Sequence, residues 1–341
     1  MRDTEQERMM GLGKFMRCSS NVCLILILLA GVLLVCGGML HGAVASQKIK
    51  DQYPGSTLYS KPVEVIPGVW SAIGATAPPG YENSGHNNNL SFIVTGDGVV
   101  VVNGGAANVL AKALHDEIKA ITKEPVKLVI NENGQGHAML GNGYWTKLGV
   151  PVLAHKDAAD EFKKRGGDIL ASMKRYNRDK AGDTVVQLPT ETFEDMRKIK
   201  MGRFEIEVLH IGPAHSPGDI SVWLPKERLV IAGDMAFHER LPPIFSDTNT
   251  ADWIKSWEKF EKLGALYVIP GHGHPTNMAQ VRRYTHDYLV YLRKKIREHM
   301  DKGGTLKDAY YVDQSPYAHL DTFNELATKN AGQVFQQMEF E

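Results

Sequence analysis

Cysteine is nearly absent. The 341-residue chain has three, Cys18, Cys23 and Cys36, so no disulfide can form beyond position 36. A cysteine-free body is compatible with an oxidising compartment, and it excludes a crosslinked scaffold. An excess of charge is absent too: 39 Lys and Arg balance 39 Asp and Glu, and no basic stripe runs along any segment. That excludes the electrostatic footprint of a nucleic-acid or other polyanion partner. A third glycine is also missing. An apolar run leads into Gly134-x-Gly136, but position 139 is Met139, so the dinucleotide-binding fingerprint fails. What remains is 43% hydrophobic and 23% charged, which suits one large domain or a domain with appendages.

The N-terminus reads as a targeting segment. Arg2, Arg8, Lys14 and Arg17 precede Val22–Leu40, which carries no charge, and Ala43-Val44-Ala45 then offers an Ala-x-Ala cleavage site. The apolar run exceeds the ~7–15 residues of a signal core and nearly reaches the ~20 needed to span a bilayer. Residues 1–45 are therefore expected to be a signal peptide or a membrane anchor, with the remainder exported to the periplasm or the extracytoplasmic face. An anchor would associate the protein with the inner membrane. Residues 46–62, polar and containing Pro54-Gly55, read as a linker. Residues 63–302 form the main domain, and 303–341 a C-terminal helical extension.

Within the main domain, β-type runs are expected at Val63–Ile66, Val69–Ile73, Asn89–Thr95, Val99–Val102, Val126–Ile130 and Pro151–Ala154. A second cluster follows at Phe204–Leu209, Ile220–Leu224, Leu229–Ala232 and Leu266–Ile269. Helical spacing covers Val109–Ile121, Met139–Leu148, Asp252–Leu263 and one long stretch, Met278–Lys302. Ala158–Lys164 begins another helix, and 165–200 reads as helix and connecting loop. Two strand clusters with interleaved helices imply two sheets with helices outside.

Chemistry concentrates in loops expected just after strands. Strand Val126–Ile130 leads through Asn131 and Glu132 into Asn133-Gly134-Gln135-Gly136-His137-Ala138. Farther on come His215 in Gly212-Pro-Ala-His215-Ser-Pro-Gly218-Asp219, Asp234 in Ala232-Gly233-Asp234, and His272 in Pro270-Gly271-His272-Gly273. Imidazoles and a carboxylate in strand-end loops suit a metal with an open coordination position.

The ordered set resembles the metallo-β-lactamase superfamily over roughly residues 63–300. The stretch Gly233-Asp234-Met-Ala-Phe237-His238-Glu-Arg240-Leu-Pro242 is similar to exported metallohydrolases associated with sulfur-oxidation and quinoprotein systems. The resemblance implies a four-layer αββα fold, two mixed sheets sandwiched between helices. It implies that His215 matches the third His of the first metal site, Asp234 the bridging Asp, and His272 the last His of the second site. The first loop departs from the family pattern His-x-His-x-Asp-His. Asn133 and Gln135 stand at the two leading His positions, His137 at the Asp and Ala138 at the final His. Amide oxygens are weak zinc ligands. Asn103 stands where the family usually has Asp.

Metal ligands are therefore expected at His137, His215, Asp234 and His272, with Asp234 also the catalytic carboxylate. They imply one divalent metal, zinc first, iron or manganese as alternatives, or none at all. His86 is a candidate to replace a lost ligand, against the plainer reading of a solvated loop. His238 and Arg240 are read as lining the cleft or lying on the surface, and His155 as structural. The function expected is hydrolysis of an ester, thioester, lactam or related bond of a small molecule by a single metal-activated water. A non-catalytic binding or assembly relative and an iron-dependent sulfur oxidase are the alternatives.

Overall fold

Four consecutive valines set the plan of the molecule. Val99–Val102 is wholly buried, and its side chains alternate between two cores: Val100 and Val102 enter one, Val99 and Val101 the other. A strand buried on both faces must lie inside a layered structure. The structure, a computed structural model, describes Tyr53 and residues 55–341. The expected export segment 1–45, with all three cysteines, lies outside the described residues, as does most of the polar stretch up to position 54. Leu58, within the segment read as linker, is buried in the core.

Among the described residues, strands β1 (Val63–Ile66), β2 (Val69–Ala72), β3 (Leu90–Val94), β4 (Val99–Val102), β5 (Val126–Asn131), β6 (Val152–His155) and β7 (Glu191–Phe193) form a seven-stranded sheet in that order. It is antiparallel up to β4 and parallel from β4 to β7. Strands β8 (Met196–Met201), β9 (Phe204–Leu209), β10 (Ser221–Leu224), β11 (Leu229–Phe237) and β12 (Tyr267–His272) form the second sheet, with only β11 and β12 parallel. Ile93, Val100, Ile130, Val208, Val222 and Ile231 fill the space between the sheets. Helix α1 (Asn108–Ile121) covers the outer face of the first sheet through Leu110, Leu114 and Ile118. Next in the chain come α2 (Gly136–Met139), α3 (Asn142–Lys147) and α4 (Lys156–Asn177). Helices α5 (Thr250–Glu261), α6 (Met278–Tyr284) and α7 (His286–Met300) back the second sheet, with Trp253, Trp257 and Tyr288 fully buried. The four-layer αββα arrangement is the one expected.

Local departures have physical causes. The stretch 165–200 contains β7 and β8 in addition to helix. Strand β8 carries Arg197, Lys198 and Lys200 on a largely exposed sheet edge, so it lacks the apolar alternation that betrays a strand. The stretch Met278–Lys302 is two helices. Thr285, fully buried, turns its hydroxyl to accept from the Phe237 amide at 2.8 Å and breaks the run there. Met139–Leu148 is likewise broken, at Leu140-Gly141. Strand β11 passes through Asp234 to Phe237 instead of ending at Ala232, because a bulge at Gly233 (φ 61°) shifts the register and keeps the chain paired to β12. The C-terminal residues are an integral part of the core: α8 (Leu306–Ala309) is followed by α9 (Phe323–Met338), which buries Ala327, Ala331, Val334 and Phe335 against α7.

His86 has a structural role. It is fully buried, and its Nδ1 accepts from the Tyr59 amide at 2.8 Å. Burial lowers its pKa from 6.5 to about 4. A depressed histidine pKa means the unfolded chain takes up the proton first as pH falls. Stability from this source is complete above pH 6.5 and is lost as pH falls toward 4. At ~1.4 kcal/mol per unit the loss is about 3 kcal/mol. Urea midpoints measured across that window should fall with acidification, and less steeply in His86→Gln.

The metal-loop frame rests on a glycine contact. Gly141 N donates to Gly105 O at 2.7 Å, and Gly104 N to Ala138 O at 2.7 Å. A Cβ at Gly141 would collide with the Gly104 carbonyl. Gly141→Ala should cost about 1–3 kcal/mol, as overpacking does, read from the urea midpoint.

Candidate metal centre

Three of the four expected ligands converge. Asp234 sits in β11 and His272 ends the adjacent parallel strand β12, while His137 enters from α2 beyond β5 of the other sheet. The centre thus lies where the carboxyl ends of both sheets meet. One ligand atom from each of His137, Asp234 and His272 lies within 4.8 Å of the other two. His272 Nε2 is 3.2 Å from Asp234 Oδ1, and His137 Nε2 is 3.7 Å from Asp234 Oδ2. His215 stands to one side, its Nδ1 3.6 Å from Asp234 Oδ2, outside that cluster.

The surroundings fix these side chains. His272 Nδ1 contacts the Asn87 carbonyl, and a carbonyl can only accept. The ring proton is therefore on Nδ1, leaving the Nε2 lone pair aimed at Asp234. Phe237 stacks on the same ring, 5.0 Å between centroids and 9° between planes. Asn89 Nδ2 donates to the carbonyls of Pro270 (2.8 Å) and Gly273 (2.7 Å) and clamps the loop. His137 Nε2 is 3.0 Å from Glu132 Oε1, a buried carboxylate that the sequence reading passed over although it directly precedes Asn133.

Electrostatics favour a cation here. Glu132, Asp219 and Asp234 are each 1% exposed. Burial first, then repulsion from Asp234, pushes both Glu132 and Asp219 upward, Asp219 well above the carboxylate range. Burial would raise Asp234 as well, but His272, His137 and His215 outweigh it and hold its carboxyl far below that range. Burial lowers His215, and lowers His272 to about 4. For His137 burial also pulls downward, yet Asp234 and Glu132 prevail and raise it. Asp234 Oδ1 has no hydrogen-bond partner although it is buried. Two acceptors 3.2 Å apart, Asp234 Oδ1 and His272 Nε2, are repulsive unless a cation joins them. Two imidazoles and one carboxylate are a suitable donor set for a single divalent ion with an open position.

Beside this cluster the loop after β5 presents amides. Asn133 Nδ2 donates to Asp234 Oδ2 at 3.2 Å, Gln135 Nε2 donates to His215 Nδ1 at 2.7 Å, and Asn133 Oδ1 accepts from the Gln135 amide at 3.0 Å. Neutral hydrogen bonds replace charge there. Asn103, with φ 74°, keeps the shape of its turn, and its Oδ1 accepts from the Glu132 amide at 3.1 Å. His155 stacks on His210 at 4.0 Å, away from the centre. His238 Nδ1 is tied to the His274 carbonyl at 2.9 Å.

The centre opens into a cleft of about 520 Å³, lined by His137, His215, Asp234, Arg240 and His272 at its base and by Pro78, Ile169, Tyr176, Phe245 and Leu326 on its sides.

Comparison with known proteins agrees with this architecture. The profile of the metallo-beta-lactamase superfamily matches residues 135–272. The chain is 22% identical over 246 residues to a linear primary-alkylsulfatase from a Pseudomonas species, covering 61% of this chain and 46% of that protein. It therefore spans less than half the length of that relative. It is 24% identical over 193 residues to a metallo-beta-lactamase type 2 from Bacteroides fragilis, covering 53% of this chain and 70% of the relative. The solved metallo-beta-lactamase from Pontibacter korlensis superposes with a TM-score of 0.56 at 18% identity, over 67% of this chain and 98% of that one. In its two-sheet sandwich, its strand-end cluster and these relatives, the chain is similar to the metallo-β-lactamase superfamily, and it has the fold of that superfamily's solved members.

Proposed function

We propose that the protein is a hydrolase that works with one divalent metal, acting on an ester, thioester, lactam or sulfate-ester bond of a small molecule. The observation that carries this reading is the convergence of His137, Asp234 and His272 at the base of an open cleft. A divalent ion held there would acidify a water and polarise the substrate oxygen. The residues supply the rest. Asp234 and His272 present acceptors to the ion, and the Asn87 carbonyl fixes the tautomer of His272. Glu132 orients His137 and offers a carboxylate beside it, as the substituted loop no longer does at position 137. Phe237 and Trp253 pack the buried side of the centre and keep water out.

The names of the relatives support hydrolysis as the reaction class, an alkylsulfatase and a β-lactamase among them. A donor set of two histidines and one carboxylate also suits ferrous iron, which keeps oxidation of a sulfur compound as a second reading. Export through residues 1–45 belongs to the same proposal and places the activity outside the cytoplasm. Among the described residues no helix is long and apolar enough to cross a membrane.

Metal analysis of tag-free protein tests the reading. One equivalent of zinc, iron or manganese is expected, with a second equivalent absent. Asp234→Asn should weaken zinc binding by more than ~100-fold, and Glu132→Gln by ~10–100-fold as partners of ligands do, both read by competition with a chelating dye. Ester and sulfate-ester hydrolysis should vanish on chelation and return with metal. A wild-type protein that takes up no metal after reconstitution would overturn the proposal and leave a binding relative in its place. Oxygen uptake with a persulfide, in place of hydrolysis, would establish the iron reading.

A further inference from the structure

The centre has a buried cation that the metal chemistry does not use. Arg240 is 5% exposed and lines the cleft beside His272. Its NH1 lies 3.3 Å from His272 Nδ1. That contact cannot be a hydrogen bond, because the same Nδ1 carries the proton that meets the Asn87 carbonyl, and a guanidinium only donates. Arg240 Nε is buried with no partner at all. A guanidinium is protonated at neutral pH, and the carboxylates that act on it are Asp234, Asp321 and Glu325. A buried arginine with donors unspent is costly without an acceptor. The cleft is where an acceptor can arrive.

The rest of the cleft is of opposite character. Pro78, Pro79, Ile169, Pro243, Phe245 and Leu326 give it an apolar wall. Phe245 is 45% exposed and packs edge-on to His215 at 5.1 Å, so it stands at the rim with its face open. Part of this wall lies outside the matched profile, which ends at residue 272, whereas Leu326 comes from α9. The segment before α9 also holds Arg240 in place. Leu241 N donates to Asp321 O at 2.9 Å, Asp321 N donates to Glu239 O at 3.0 Å, and Thr76 donates to the Asp321 carboxylate at 2.6 Å.

We propose that the substrate is an amphiphilic organic anion, a hydrophobic body ending in a sulfate or carboxylate head. Arg240 binds the head next to His272, and the wall of Pro78, Ile169, Phe245 and Leu326 takes the body. The inference rests on the hydrolase reading for its use but not for its test. Both heads present oxygens that a guanidinium can engage in a planar, charge-assisted pair.

Binding of non-hydrolysable probes to the full-length, zinc-reconstituted protein is the test. Isothermal titration, below micelle concentrations, would compare decane-1-sulfonate, decanoate, decan-1-ol and methanesulfonate. Both long anions should bind on the order of tenfold or more tighter than the alcohol and the short sulfonate, as a charged hydrogen bond implies. The tighter of the two long anions names the head group. Arg240→Gln should lose that advantage for the anions and leave decan-1-ol unchanged, with Arg240→Lys intermediate. Leu326→Asp should weaken the long sulfonate and spare methanesulfonate. If Arg240 only neutralises Asp234, Asp321 and Glu325, the Gln variant binds the anions as wild type does, and the inference fails. It fails equally if decan-1-ol binds as tightly as decane-1-sulfonate. Should Arg240→Gln not fold, by its thermal melt, the wild-type probe series and Leu326→Asp still decide. None of the probes can be hydrolysed. Selective binding with no hydrolysis of ester, thioester, lactam or sulfate-ester substrates would therefore sink the proposed function alone, and hydrolysis with indifferent binding would sink this inference alone.

Discussion

The Asp234 carboxylate lies in the middle of β11, away from water, and most of the centre follows from the need to satisfy it. A buried charge is tolerated only with partners. Here four partners arrive from three directions: His272 from the neighbouring strand, His137 and Asn133 from the opposite sheet, and His215 from the loop between β9 and β10. Each is held by something else. Asn87 fixes His272, Glu132 fixes His137, and Gln135 fixes His215. The bulge at Gly233 belongs to the same requirement, since it keeps Asp234 inside the sheet at the right register.

Amides stand at two positions where the family pattern has metal-binding histidines, and they form hydrogen bonds there. Asn133 and Gln135 still point at Asp234 and His215, but as hydrogen-bond donors. The His137–Asp234–His272 cluster thus lies beside a neutral clasp of hydrogen bonds. The exchange at position 137 is matched by Glu132, which brings a carboxylate back to within 3.0 Å of the imidazole that took the Asp position.

Much of this was legible in the sequence, because long apolar β-branched runs leave little choice of structure. Val99–Val102, Val126–Ile130 and Leu229–Ala232 could only be buried strands, and the Gly- and Pro-rich loops after such runs marked where chemistry collects. Other features depend on contacts distant in sequence and have no local signal. Strand β8 is a charged edge that pairs only because β9 is beside it. The break at Thr285 exists because Phe237 needs its hydroxyl, 48 positions away. Glu132 looks like any loop acid until His137 folds back onto it. Nor does spacing along the chain show that His215 stands apart from the other three ligands; that is set by the Gln135 contact.

The C-terminal helix has a consequence beyond packing. Helix α9 and the segment before it supply Leu326 to the cleft and hold the backbone on either side of Arg240, yet none of the three clustered residues comes from them. A change at Leu326 would therefore reshape one side of the cleft while leaving the three clustered residues in place.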